Sequence, residues 1–267
     1  MTGGRWLPFW GMVGVAITAA APHAAAAAGA PAPRRESFTL RGHAQVLYVY
    51  GERGGPAAIV TSGDGGWVHL GPEVAAFLAS DGYFVVGFDA RAYLAAFTTS
   101  SGTLSVEDVP RDYAALVDYA APGAAGRPLL VGVSEGAGLS LLSATAPDIQ
   151  ARVAGVIALG LPEKNELGWR WRDSVIYVTK KVPNEPTFSA REVADRVAPV
   201  PLAAIHSTHD EFVPVPEVKA ILARAREPKR LWLVESKNHR FTDSLPELHR
   251  SLKEAIAWTQ SACKTAC

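Results

Sequence analysis

Residues 129–136 read LLVGVSEG and decide the fold, because an apolar run ends there in a G-x-S-x-G pattern. The small and apolar residues Ala137 to Thr145 follow and are typical of a helix. In a strand–turn–helix context, Gly132 and Gly136 give the turn its room, and the Ser between them is held on strained backbone with its hydroxyl exposed. We therefore interpret Ser134 as a candidate nucleophile, with an ordinary tight turn as the alternative.

Apolar strand-like runs alternate with amphipathic helical patterns on both sides of this stretch. The strand-like runs are 37–40, 45–50, 57–61, 83–88, 129–131, 153–159, 202–205 and 231–234. The helical patterns begin near positions 72, 105, 137, 218 and 244. This alternation predicts an α/β fold with a mostly parallel central sheet and helices on both faces, in which the first two runs pair at one edge.

Ligands gather at the carboxyl ends of the strands in such a sheet. Every unusual loop of the chain follows a predicted strand, and these loops are 62–67, 89–97, 132–136, 207–214 and 237–241. We therefore expect the functional groups to lie on these loops.

The N-terminal residues 1–30 are typical of a secretory signal peptide. Arg5 is followed by the apolar run 7–21 and by the Ala-rich zone 24–30, which together give the charged, apolar and small-residue regions of such a leader. An uncleaved membrane anchor is the alternative, but two prolines leave an apolar core that is short for a membrane span. We expect residues 31–267 to form a single exported domain, periplasmic or secreted.

The composition excludes some functions. With 48% hydrophobic residues and a formal net charge of +0, the chain is globular and lacks the basic excess of a nucleic-acid-binding protein. Its two cysteines, Cys263 and Cys267, have no further metal ligands nearby, so neither a metal nor another cofactor is expected. Export permits a disulfide, but an i, i+4 pair in a continuing helix is poorly oriented for one, and we leave their pairing open.

Two polar loops after Ser134 supply the partners that a hydroxyl nucleophile needs. A base must take the hydroxyl proton, and a third group must orient that base. Asp210 follows the run 202–205 and His239 follows the run 231–234, which gives the order Ser, Asp, His. We predict Asp210 as the acid and His239 as the base.

Three neighbouring residues are alternatives for these roles. Glu211 could be the acid, with Asp210 instead capping a helix, and His206 and His209 are rivals for the base. A His directly beside the acid is more often structural, which favours His239.

The oxyanion of an acyl-transfer reaction also needs hydrogen-bond donors. We expect one from the backbone N–H of Glu135 and the other from Asp64, in the glycine-rich loop 62–67. A phosphate-cradling loop is the alternative, but this one lacks the Lys of a P-loop and the spacing of a dinucleotide fingerprint.

Residues 162–197 interrupt the strand–helix alternation, and we interpret them as a short cap insertion over the active site. The sequence Gly168-Trp-Arg-Trp-Arg172 places two indoles and two guanidiniums together. Such residues suit the boundary of an anionic membrane, so Trp169 and Arg170 are candidate substrate-binding residues. The alternative is a strand with both Trp side chains on a buried face and both Arg side chains in solvent.

The pattern at 132–136 and the order of Ser134, Asp210 and His239 resemble the α/β-hydrolase superfamily across nearly all of residues 31–267. More narrowly, the SGDGGW sequence at 62–67 and His239-Arg-Phe241 resemble the VirJ/AcvB-type bacterial virulence protein family. This resemblance adds Gly65 and Trp67 to the candidate substrate-binding residues.

The resemblance implies a periplasmic protein. The AcvB-type branch hydrolyses lysyl-phosphatidylglycerol, so the chain is expected to be an exported serine hydrolase of a carboxylic ester, with an aminoacyl phospholipid as a candidate substrate and an anionic lipid surface as a candidate partner. Two alternatives stay open. One is an esterase of small soluble esters, and the other is a non-catalytic, VirJ-like partner of a secretion system.

Overall fold

The computed structural model describes residues 32–124, 126–170 and 185–266. The predicted signal peptide, Trp171 and Arg172 lie outside this part of the chain. Its strands are β1 (Arg34–Leu40), β2 (His43–Tyr50), β3 (Ala57–Thr61), β4 (Phe84–Phe88), β5 (Leu129–Val133), β6 (Gly155–Leu159), β7 (Lys164–Glu166), β8 (Thr187–Ser189), β9 (Leu202–Ser207) and β10 (Lys229–Val234). Its helices are α1 (Leu70–Ser80), α2 (Ala90–Phe97), α3 (Asp108–Ala120), α4 (Glu135–Ser143), α5 (Pro147–Gln150), α6 (Ala190–Val193), α7 (Val215–Arg224) and α8 (Leu245–Ala266).

One sheet runs through the molecule in the order β1-β2-β4-β3-β5-β6-β9-β10. The strands from β4 to β10 in this order pair in parallel, whereas β2 is antiparallel to both β1 and β4. The predicted mostly parallel sheet and the pairing of the first two strands at one edge are therefore confirmed. This is the α/β-hydrolase architecture that the sequence predicted.

Both faces of the sheet are covered, because its parallel strands are buried on both sides. In β3, Ile59 points into a core that includes residues of α2, α3, α4 and α7, while its neighbours Ala58 and Val60 point into a core with α1 and α8. Successive strand residues alternate between faces, so the short apolar strands fill both cores at once.

Residues 89–97, which we predicted as a loop, mostly form α2. The Asp89 side chain caps this helix by accepting the N–H of Ala92 at 2.9 Å. Tyr93 and Leu94 on its inner face are fully buried. The aromatic and basic residues suggested a loop, but the cap and the buried face favour a helix.

Within the insertion, the short strands β7 and β8 form an antiparallel pair. β7 lies against α4, where a Cβ atom added at Gly138 would be 1.8 Å from Oδ1 of Asn165. Residues 171–184 of the predicted cap lie outside the described residues.

In the described ranges, no helix combines the length and apolar character that a membrane crossing requires. Cys263, near the end of α8, is disulfide-bonded. Cys267 is outside the described residues.

Candidate active site

Ser134 occupies a strained turn between β5 and α4. Its φ of 51° and ψ of −118° lie outside the regions that non-glycine residues ordinarily adopt. A Cβ atom added at Gly132 would lie 2.2 Å from the carbonyl oxygen of Gly136, and one added at Gly136 would lie 2.3 Å from the carbonyl oxygen of Ser62. The turn can form only because both glycines lack a side chain, which is the local structure that a nucleophile elbow requires.

Asp210 and His239 come together because β9 and β10 are parallel neighbours. Nδ1 of His239 lies 2.6 Å from Oδ2 of Asp210, whose side chain is fully buried. The other carboxylate oxygen, Oδ1, accepts the N–H groups of Phe212 and Val213 at 2.9 and 2.8 Å. The carboxylate is thus fixed in one orientation, and Nε2 is the imidazole nitrogen left for catalysis.

The charged form of Asp210 is favoured despite its burial. Desolvation raises its pKa, but the hydrogen bond from His239, the positive charge of His239 and the two backbone N–H groups together hold the pKa below its ordinary value. A carboxylate that stays ionised can orient and stabilise an imidazolium.

Glu211, the alternative acid, contacts the backbone of His239 instead of its ring. Its Oε2 accepts the N–H of His239 at 2.7 Å. Gly160 lies close to the ring, because it has a φ of 59° and a Cβ atom there would lie 2.5 Å from Cε1 of His239. Asp210 and Gly160 therefore adjoin the His239 ring, and Glu211 holds its main chain.

His206 and His209, the alternative bases, occupy other positions. The fully buried ring of His206 places Nε2 2.8 Å from the carbonyl oxygen of Val213, so it braces the turn that carries Asp210. His209 is exposed, and its Nδ1 lies 3.4 Å from a carboxylate oxygen of Glu235. Neither histidine lines the cavity described below.

His206 should make stability depend on pH. Burial lowers its pKa from the ordinary value of 6.5, so the unfolded chain binds a proton more readily than the folded chain. The free energy of unfolding is expected to fall as the pH drops below about 6.5, and His206→Gln should reduce that slope by up to ~1.4 kcal/mol per pH unit.

Urea unfolding at a series of pH values measures this slope, with the exposed His209→Gln as the matched control. The control should keep most of the wild-type slope. An unchanged slope in His206→Gln would show that His206 does not contribute in this way.

A cavity of about 230 Å³ opens above the carboxyl ends of the central strands. Ser134 and His239 both line it, as do the predicted Asp64, Gly65 and Glu135. The remaining lining residues are Gly63, Gly66, Val68, His69, Leu70, Gly71, Val133, Pro162, Lys164, Glu166, Phe212, Val213 and Arg240. Across the described residues, no group of three or more His, Cys, Asp or Glu side chains could hold a metal ion.

The glycine-rich loop folds closely over the Ser134 turn. A Cβ atom added at Gly63 would be 3.3 Å from Cβ of Ser134, and the loop is closed by a 3.0 Å hydrogen bond from the N–H of Gly66 to the carbonyl of Gly63. Asp89 fixes its far end by accepting the N–H of Trp67 at 3.0 Å. The N–H groups of Asp64 and Glu135 have no acceptor among the described residues, which leaves them available to an oxyanion.

The Glu135 side chain is a buried acid beside the candidate nucleophile. It accepts the N–H of Glu166 at 2.6 Å, which ties α4 to the insertion. Burial raises its pKa well above the ordinary value, and the negative charges of Glu166 and Asp64 raise it further. The sequence identified only the backbone of Glu135, and it missed Lys164 and Glu166, which reach the cavity from β7.

Three predicted substrate-binding residues lie outside the cavity lining. The Trp67 ring stacks on Tyr48 with a centroid distance of 4.9 Å, in a space that exists because Gly87 has no side chain. Trp169 packs under the Arg91 guanidinium, 4.9 Å from its ring centroid. Arg170 pairs with Glu185 and donates to the carbonyl of Thr99 at 2.7 Å. Of the predicted set, Gly65 reaches the cavity.

Comparison with known proteins supports the fold and shows a match to one family over part of the chain. Residues 56–170 match the family described as bacterial virulence protein (VirJ). That range contains Ser134 and the glycine-rich loop but ends before Asp210 and His239. No curated protein sequence matches the chain significantly.

Solved structures with the same fold are numerous. A membrane phospholipase A, described as a bacterial virulence factor, is 12% identical with a TM-score of 0.63, covering 86% of this chain and 87% of its own. Est1E from Butyrivibrio proteoclasticus is 14% identical with a TM-score of 0.62, covering 85% and 99%. An esterase from Pyrococcus furiosus is 17% identical with a TM-score of 0.62, covering 84% and 90%.

Proposed function

We propose that this α/β-hydrolase-fold chain, which resembles the VirJ family, is an exported serine hydrolase that cleaves a carboxylic ester. The observation that carries the proposal is the 2.6 Å contact between Asp210 and His239, beside a cavity that His239 shares with the strained Ser134. A binding protein has no need of a buried acid, an oriented imidazole and a hydroxyl on strained backbone at one place. The hydrolases among the structural neighbours and the predicted leader are consistent with this activity and with export.

Each group has a distinct role in the proposed reaction. Nε2 of His239 takes the proton of the Ser134 hydroxyl as the oxygen attacks the ester carbonyl. The N–H groups of Glu135 and Asp64 stabilise the oxyanion of the tetrahedral intermediate. The imidazolium, stabilised by Asp210, gives its proton to the leaving alkoxide. Water then attacks the acyl-enzyme by the same steps, releasing the acid and free Ser134.

The carboxyl groups of the cavity support a substrate that carries a positive charge. Asp64, Glu135 and Glu166 all line it, and burial, together with the negative charges of Glu166 and Asp64, raises the pKa of Glu135. An amine bound among these groups would relieve their mutual repulsion. An aminoacyl ester of a phospholipid, as in lysyl-phosphatidylglycerol, carries such an amine on its acyl group.

A fluorophosphonate probe tests the reaction type directly. It forms a covalent bond with an activated serine, so it should label the purified wild-type protein and not Ser134→Ala. Labelling that persists in Ser134→Ala would show that another residue is the nucleophile. No labelling of the wild-type protein would favour the alternative, a non-catalytic partner of a secretion system.

Lysyl and norleucyl esters of the same alcohol test the acyl preference, since they differ mainly by the terminal amine. We expect kcat/KM to be about tenfold higher for the lysyl ester. This difference corresponds to ~1.4 kcal/mol, which is the size expected of one ion pair between the amine and the cavity. The double variant Asp64→Asn and Glu166→Gln should lose this preference and should still hydrolyse the norleucyl ester. Equal rates for the two esters in the wild-type protein would favour a small neutral ester as substrate.

A further inference from the structure

Two exposed apolar side chains flank the mouth of the catalytic cavity. The exposed large apolar side chains of the described residues are Val46, Val68, Val106, Phe212 and Leu233. Of these five, Val68 and Phe212 line the cavity, and they are 48% and 52% exposed. Val68 follows β3 and Phe212 follows β9, which lie on opposite sides of β5 in the sheet. The two side chains therefore stand on either side of Ser134.

Two cations accompany these apolar side chains at the mouth. Lys164 and Arg240 line the cavity, and both are exposed. Burial, together with the positive charge of Arg240, lowers the pKa of His69, which also lines the cavity and is adjacent to Val68 in the sequence. Apolar and cationic side chains are thus interspersed on the same rim.

The carboxyl groups of this region are partly or fully buried, or are hydrogen-bonded. Glu135 is buried, Asp64 and Glu166 are half-buried, and Glu211 accepts the N–H of His239. Of the Asp, Glu, Lys and Arg residues that line the cavity, the exposed ones, Lys164 and Arg240, are both cations, whereas the carboxyl groups are half-buried or buried. Exposed apolar side chains interspersed with cations are complementary to an anionic lipid surface, where the apolar groups enter the acyl boundary and the cations pair with head groups.

We propose that the rim formed by Val68, Lys164, Phe212 and Arg240 docks on an anionic lipid surface and presents the cavity mouth to it. This inference rests on the proposed function, because docking would deliver a lipid ester to Ser134. A soluble ester could reach Ser134 without any contact from this rim, so the rim separates interfacial from soluble substrates.

Vesicle binding by the Ser134→Ala protein tests the rim without turnover. Each variant is exported with its own leader and purified in the same form. Binding is measured by co-sedimentation with phosphatidylcholine vesicles, with and without phosphatidylglycerol. Adding Val68→Ser and Phe212→Ser should weaken binding to the anionic vesicles about tenfold, because the apolar contact with the acyl boundary is lost. The matched control pair, Val46→Ser and Leu233→Ser, removes similarly exposed apolar groups that do not line the cavity and should change binding less than about twofold.

The charges are tested separately. Lys164→Gln with Arg240→Gln should weaken binding to anionic vesicles only, and added salt should reproduce that loss. Equal losses in the rim pair and the control pair would overturn the proposal, as would equal binding to both vesicle compositions. If binding depends on the rim but the wild-type protein has no esterase activity, the proposed function is rejected and the docking surface is retained. If the wild-type protein is an esterase but binding does not depend on the rim, the docking surface is rejected and the proposed function is retained.

Discussion

Replacing Ser134 with Ala is expected to lower esterase turnover by about 10⁶-fold while the fold is retained. The reaction loses its nucleophile, and the other catalytic groups cannot compensate because they act on the Ser134 hydroxyl. Ala meets the same backbone strain at φ 51° as Ser does, so the turn is not further penalised. Hydrolysis of p-nitrophenyl acetate measures turnover, and thermal unfolding monitors the fold.

His239→Ala is the companion variant. It should lose about as much activity as Ser134→Ala, and the double variant should lose little more, because these groups act as a unit. A Ser134→Ala protein that is folded and retains a tenth of the wild-type turnover would exclude Ser134 as the nucleophile.

Asp210→Asn is expected to lower kcat by about 10⁴-fold. The amide can present a donor to Nδ1 of His239 and so favour the wrong tautomer, and it no longer stabilises the imidazolium. Because the Asp210 side chain is fully buried, water cannot stabilise the imidazolium in place of the lost carboxylate.

Glu211→Gln is the matched control, one residue away on the same turn. The Gln amide oxygen can still accept the N–H of His239, which is the contact that Glu211 makes. We expect a loss of less than about tenfold, consistent with one hydrogen bond to a charged group becoming neutral. Rates for both variants with p-nitrophenyl acetate decide the assignment, since equal losses, or a larger loss in Glu211→Gln, would transfer the role of the acid to Glu211.

The sequence predicted the parts of the fold and site that depend on local patterns. The positions of Ser134, Asp210 and His239 follow from short apolar runs that end in polar loops, and parallel pairing brings such loops to one edge of a sheet. The boundaries of the strands differ from the structure by a few residues, because a strand ends where its pairing ends and not where its apolar run ends.

Long-range packing decides the features that the sequence did not predict. Trp67 follows the glycine-rich loop, and its position outside the cavity depends on Tyr48 and on the missing side chain of Gly87, two residues on other strands. Lys164 and Glu166 are placed at the cavity by the pairing of β7 with β8. These strands are about 20 residues apart in the sequence, and no local pattern predicts that they pair. The dual grip on His239 by Asp210 and Glu211 also depends on the exact turn after β9, whereas the sequence offered these two carboxylates only as alternatives.

The position of β7 separates the reaction chemistry from the cavity wall. The proposed reacting groups lie before the insertion, at Ser134 and the glycine-rich loop, and after it, at Asp210 and His239. The insertion itself adds Lys164 and Glu166 to the cavity wall. Changes between β6 and β9 that keep the contacts of β7 with α4 are therefore expected to alter the substrate range more than the reaction chemistry.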